Sequence, residues 1–178
     1  MTSEQDRRSL LLLARDAIAA HVTGSPPPSV ERTGVFARPG GAFVTIHRRG
    51  ELRGCIGHIA ADEPLGVIVL RCAVAACSSD PRFSAVSPAE LGDIDLELSL
   101  LGPLEPITGP GDIDIGRHGL VVERGWHRGL LLPQVATEWG WDSTTFLSHT
   151  CRKAGLPPNA WREGAQLWRF DAEVFSER

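Results

Sequence analysis

Asp93 to Leu100 alternates without a break: Ile94, Leu96, Leu98 and Leu100 point one way, and Asp93, Asp95, Glu97 and Ser99 the other. Side chains of a strand change face at every residue, so this is a strand with one apolar and one polar face. Such a strand belongs to a sheet packed on one side only, which is the habit of antiparallel sheets rather than of parallel ones buried on both faces. The last run of the chain repeats the pattern, with Trp168, Phe170, Ala172 and Val174 between Arg169, Asp171 and Glu173.

The other strands arrive in hairpins. Ala42–His47 and Leu52–Ile59 flank the turn Arg49-Gly50, and Gly119–Glu123 and Gly129–Leu132 flank Arg124–Arg128. Helical patterns lie between them. Residues 3–21 place Leu10, Leu13, Ala14, Ala17, Ile18 and His21 at helical spacing on one face, with Thr2 and Gln5 as a capping box. Pro64–Cys77 is apolar almost all round, so it packs against a sheet. Ser87-Pro88-Ala89-Glu90 carries a helix-start signal, with serine as cap, proline in the first position and a glutamate that reaches back. Gln134–Trp139 gives a helical turn, and Asp142 caps a helix over Ser143–Ala154 that ends at Gly155 and Pro157-Pro158. Strand hairpins with helices between them, and no regular β-α-β-α order, make the fold α+β: an antiparallel sheet packed with helices.

At 178 residues the chain fits one domain, or two small lobes sharing a core, and its 42% apolar and 22% charged residues are those of a folded protein. The net charge of −4 speaks against bulk nucleic-acid binding. Lys153 is the only lysine, so nearly all cations are the forked guanidinium that suits carboxylates and phosphates. Glu4, Asp6, Arg7 and Arg8 precede only a short apolar run, so no export signal is expected, and no apolar stretch approaches a membrane span. The four cysteines are irregularly spaced and read as reduced thiols of a cytoplasmic protein.

The densest polar cluster in apolar surroundings is Arg53, Cys55 and His58. Read as chemistry, it is a thiol nucleophile, a histidine base and an arginine anchor for an anion. Read as structure, it is a buried cysteine beside a glycine-kinked strand. In a regular strand His58 faces away from Cys55, and a bulge at Gly57 would bring it round. Cys55 and His58 lack a third ligand of metal-site spacing, so no metal is expected. Nor is a cofactor: there is no phosphate loop, dinucleotide fingerprint or nucleophile elbow. Gly54 and Gly57 within a strand mark either a bulge or a close backbone approach.

The segment Leu52-Arg53-Gly54-Cys55-Ile56-Gly57 resembles the LRGCIG signature of the AMMECR family, and Asp80-Pro81-Arg82-Phe83 its DPRF element. The Gly119–Ala136 hairpin with its Leu-Leu-Leu-Pro-Gln run, and Phe146 through Cys151 to Leu156, are similar to further family segments in the same order. The resemblance implies a single domain over residues 1–178, with two unequal lobes and the signature beside a groove. In prokaryotes it implies a component of the AmmeMemoRadiSam system, found with a Memo-like protein and a radical SAM protein. The expected function is then a ligand-binding or catalytic accessory component of a modification pathway. Cys55 and His58 would be its catalytic candidates, and Arg53, Arg82, His118 and Gln134 would hold a small anionic ligand. A noncatalytic protein–protein adaptor and a specific RNA-binding module are the alternatives.

Overall fold

A computed structural model describes residues 2–178. They form five α-helices and seven strands, divided between two compact units: the chain up to Leu101 together with Glu173–Arg178, and Gly102–Ala172. The pairings within each unit are antiparallel, as an α+β chain of hairpins requires. Each unit has its own cluster of buried apolar side chains. No described helix is long and apolar enough to cross a membrane.

The first unit begins with α1 (Glu4–Thr23). Its capping box is made by Ser3 and Asp6, one residue later than the pattern of Thr2 and Gln5 suggested. Ser3 wins because its Oγ accepts from the Asp6 N–H while the Asp6 carboxylate accepts the Ser3 N–H. Gly24 ends the helix in the left-handed conformation, φ 72°. A short helix, α2 (Gly34–Ala37), follows without a sequence signal. Strands β1 (Gly41–Arg48) and β2 (Glu51–His58) form a hairpin around Arg49 and Gly50, both at positive φ, which matches the twist of the strands they join.

Next come α3 (Leu65–Ser78), a 3-10 turn at Pro88–Glu90 that realises the serine–glutamate capping box, and β3 (Ile94–Leu101). The strand order is β2-β1-β3. Val44, Ile46, Leu96 and Leu98 are fully buried in the core that also takes Leu10 and Ile18 of α1 and Ile68 and Val69 of α3. That leaves the opposite face, with Phe43, Thr45, Cys55, Glu97 and Ser99, outside the helix-covered core.

The second unit contains β4 (Glu105–Ile107), β5 (His118–Arg124), β6 (His127–Leu131), α4 (Pro133–Trp139), α5 (Ser143–Lys153) and the start of β7 (Gln166–Ser176), whose last residues belong to the first unit. Here β7 lies between β4 and β5, and β6 pairs with β5. Leu120 and Val122 meet Phe146, Leu147 and Cys151 of α5 in the core. The Gly125-Trp126 turn is tighter than the Arg124–Arg128 loop expected from sequence, because both strands extend towards it.

Candidate functional site

Strand β2 pairs with β1 in regular register from Gly54 to His58. The register slips beyond it, between Ile46 and His47, leaving Arg53 as the extra residue. The bulge therefore falls at Arg53 and not at Gly57. Cys55 and Gly57 share one face while Ile56 and His58 take the other, so the expected Cys55–His58 pair is not assembled. Gly57 has a different reason to be glycine: a Cβ there would sit 2.3 Å from ring atoms of Phe43.

Thr45 is the centre of a cross-strand row, with Cys55 on one side and Glu97 on the other. Its Oγ1 donates to the Cys55 Sγ at 3.3 Å. Burial pushes the Cys55 thiol above its ordinary value; the Thr45 hydrogen bond and the Arg82 charge oppose that rise, and Asp80 and Glu97 add to it. No described residue offers this thiol a histidine base within hydrogen-bond reach.

The loop after α3 locks onto the same strand. The Cys55 N–H donates to Asp80 Oδ2 at 3.0 Å. Arg82 forks onto Asp80 through Nε (3.0 Å to Oδ1) and Nη2 (2.8 Å to Oδ2), and Nη2 also reaches the Cys55 carbonyl at 3.5 Å. The Asp80 side chain is 2% exposed and that of Arg82 53%. Arg82 holds the Asp80 carboxyl far below the usual carboxylate range. The result is an exposed guanidinium fixed on its Asp80 side, with Nη1 lacking a partner among the described residues.

Arg53 is placed differently from its expected role. Its Nε donates to Glu90 Oε1 at 2.9 Å and its Nη2 to Glu90 Oε2 at 3.2 Å; Nη1 is held by the Ser84 carbonyl at 2.8 Å. The chain itself fills the anion position of Arg53. His58 Nε2 lies 2.7 Å from Asp62 Oδ1. With Glu63 these two residues form a group whose donor atoms lie within 4.8 Å of one another, close enough to hold a metal ion. Both Glu63 oxygens are already engaged by Arg71, at 2.9 and 3.0 Å, so the group closes as an ion-pair cluster.

The remaining two candidates lie in the second unit. His118 opens β5 and is buried; its Nδ1 accepts from the Asp114 N–H at 2.9 Å and its Nε2 faces Asp171 Oδ1 at 3.9 Å. That is the bonding of a histidine that fixes a turn. Gln134, second in α4, is half-buried, and its Oε1 is buried with no hydrogen-bond partner among the described residues.

Fold and site together define an α+β protein whose strand β2 presents a shielded thiol beside an anchored arginine. The AMMECR1 family model matches residues 11–175, and the chain belongs to that family. It is 46% identical to a protein of Methanothermobacter thermautotrophicus, the match covering 98% of this chain and 96% of the relative. It is 43% identical to one from Aeropyrum pernix, over 98% and 80%. The crystal structure of the uncharacterized protein PH0010 from Pyrococcus horikoshii superposes with a TM-score of 0.90 at 39% identity, covering 96% of this chain and 90% of that one.

Proposed function

We propose that this chain is a ligand-binding accessory protein of the AMMECR type, and that it takes a small anion, carboxylate or phosphate, at Arg82 beside Cys55. The observation that carries the reading is the Asp80–Arg82 fork. Asp80 fixes the guanidinium and ties it to the backbone of the signature strand, and the outward Nη1 remains as a donor in a preset direction. Binding suits the site better than thiolate attack does, because burial keeps Cys55 protonated and His58 points from the opposite face. The resemblance to the AMMECR family supports action in the cytoplasm alongside Memo-like and radical SAM proteins in a modification pathway.

Thermal shift with phosphate and with citrate tests the site. The native chain should show stabilisation that saturates. Arg82→Lys keeps a cation for the buried Asp80 but loses the fork, and should abolish the saturable part. Equal stabilisation of both proteins would mean a general salt effect and would remove the ligand from Arg82.

A further inference from the structure

The second unit carries aromatic surface that its core does not use. Trp141 packs against the core residue Phe146, with ring centres 6.4 Å apart and the rings tilted by 39°, and stacks on His149, at 3.9 Å with the rings within 7° of parallel. Trp139 extends the stack, 6.2 Å from Trp141 and 16° from parallel, and is 70% exposed. Gly140 between them, at φ 64°, ends α4 in the left-handed conformation and lets the two indoles follow one another. An indole left largely in water on an otherwise ordered stack is apolar area whose burial would be favourable.

The charges beside the stack point to what would cover it. Arg152 and Lys153 follow His149 by three and four residues, so they continue the same side of α5. Both are exposed, and neither forms an ion pair among the described residues. Their place in the last turn of the helix also offsets its negative end, but that role needs no exposed indole. An aromatic–cation pair adjoins: Trp161 Nε1 donates to Ser148 Oγ at 3.4 Å, and the Arg162 guanidinium lies 4.5 Å from the Trp161 ring centre. The nearby acids are committed in part. Asp142 caps α5 through the Thr145 N–H at 2.7 Å, and Glu163 accepts from Asn159 at 2.7 Å; Glu138 remains exposed.

We infer that this side of α5 binds a single-stranded nucleic acid, with a base on the open face of Trp139 and phosphates at Arg152 and Lys153. Every base has a planar π-face, so such a platform tolerates sequence, while unpaired cations one helical turn beyond His149, at the other end of the stack, suit the backbone of a strand laid along it. A protein partner would be expected to meet an apolar, charge-depleted patch; here the ring stack ends at His149, and the cations that follow it on α5 have no ion-pair partner among the described residues. The net charge of −4 limits the long-range attraction and makes stacking the larger share of the affinity.

Anisotropy of a fluorescein-labelled oligouridylate, titrated with the full chain across a salt series, decides the matter. Trp139→Ala should weaken binding by about fivefold or more, and Trp139→Phe by less, since a ring remains. The double variant Arg152→Gln, Lys153→Gln should flatten the dependence of log affinity on log salt by about 0.7 for each phosphate it no longer neutralises. Circular dichroism establishes that each variant is folded; if Trp139→Ala is not, Trp139→Phe and the double variant still decide. No binding at low salt, equal binding by all variants, or a salt dependence untouched by the double variant would each overturn the proposal, and the last two would place the oligonucleotide elsewhere on the chain.

Discussion

Arg53 and Glu90 form a two-pronged ion pair inside the first unit, Nε to Oε1 at 2.9 Å and Nη2 to Oε2 at 3.2 Å. The side chains are 14% and 11% exposed. Glu90 also receives Arg48 Nη1 at 2.9 Å, and its Oε2 caps Ser87. One carboxylate thus binds the signature strand, β1 and the 3-10 turn together. Removing Arg53 leaves the buried Glu90 charge with only Arg48 and the Ser87 cap, so Arg53→Ala should cost about 2 kcal/mol of stability in denaturant unfolding. A loss below about 1 kcal/mol would mean that the pair behaves as a solvated one.

The same carboxylate makes stability depend on acid. Arg53, the Ser87 N–H and the Ser87 hydroxyl lower Glu90 from 4.5 to about 2. A lowered folded value means that the stabilisation is complete above the unfolded value near 4.5 and is lost as pH falls towards 2. Asp80 acts in the same direction, with the Arg82 fork as the first cause. Melting temperature should therefore decline steeply below about pH 4.5. In Glu90→Gln the decline should be shallower, from a lower starting value. A variant with an unchanged slope would take Glu90 out of the acid transition.

The thiols should be slow. Burial raises all four, Cys72 to about 11. Thiolate is the reactive form, so native alkylation at mildly alkaline pH should run well behind that of the unfolded chain, followed by mass spectrometry. Thr45→Val removes the hydrogen bond to Cys55 Sγ and should slow Cys55 further, provided the isosteric replacement keeps it equally shielded. Rapid native labelling of Cys55 that depends on Arg82 would restore the nucleophile reading.

What can be read without coordinates is local in the chain. The alternation over Asp93–Leu100 marks β3, and Ser87 with Glu90 marks the cap. The same Glu90 is not visible as the partner of Arg53, because 37 residues separate them and many acids lie nearer in sequence. Asp80 likewise sits in the DPRF-like element, yet its bond to the Cys55 N–H depends on how the loop after α3 returns to the sheet. Nothing in the sequence signals that the Asp114 N–H occupies a ring nitrogen of His118, so that residue reads as a pocket candidate until the turn is seen. The stack of Trp139, Trp141 and His149 does leave a trace: two tryptophans around a glycine, an aspartate cap, and a histidine two helical turns on. Short β4 and α2 leave none, being too brief for a periodicity to register.

Gly54 and Gly57 both mark close approach, as two glycines within a strand suggest, but against different kinds of neighbour. A Cβ on Gly54 would lie 2.2 Å from the carbonyl oxygen of Ala76 in α3, which is backbone and cannot turn aside. On Gly57 the clash is with the Phe43 ring, a side chain that can give by rotation. At Gly92 a Cβ meets nothing within 4 Å. Gly54→Ala must therefore push β2 and α3 apart, loosening the packing between them, and should destabilise by about 2 kcal/mol or more. Gly57→Ala should cost less, about 1 kcal/mol, and Gly92→Ala should stay within about 0.5 kcal/mol of the native chain. The ordering is the test, read from denaturant midpoints at constant m-value. If Gly54→Ala unfolds with Gly92→Ala, the helix does not press on the signature strand, and the glycine there answers to something other than packing.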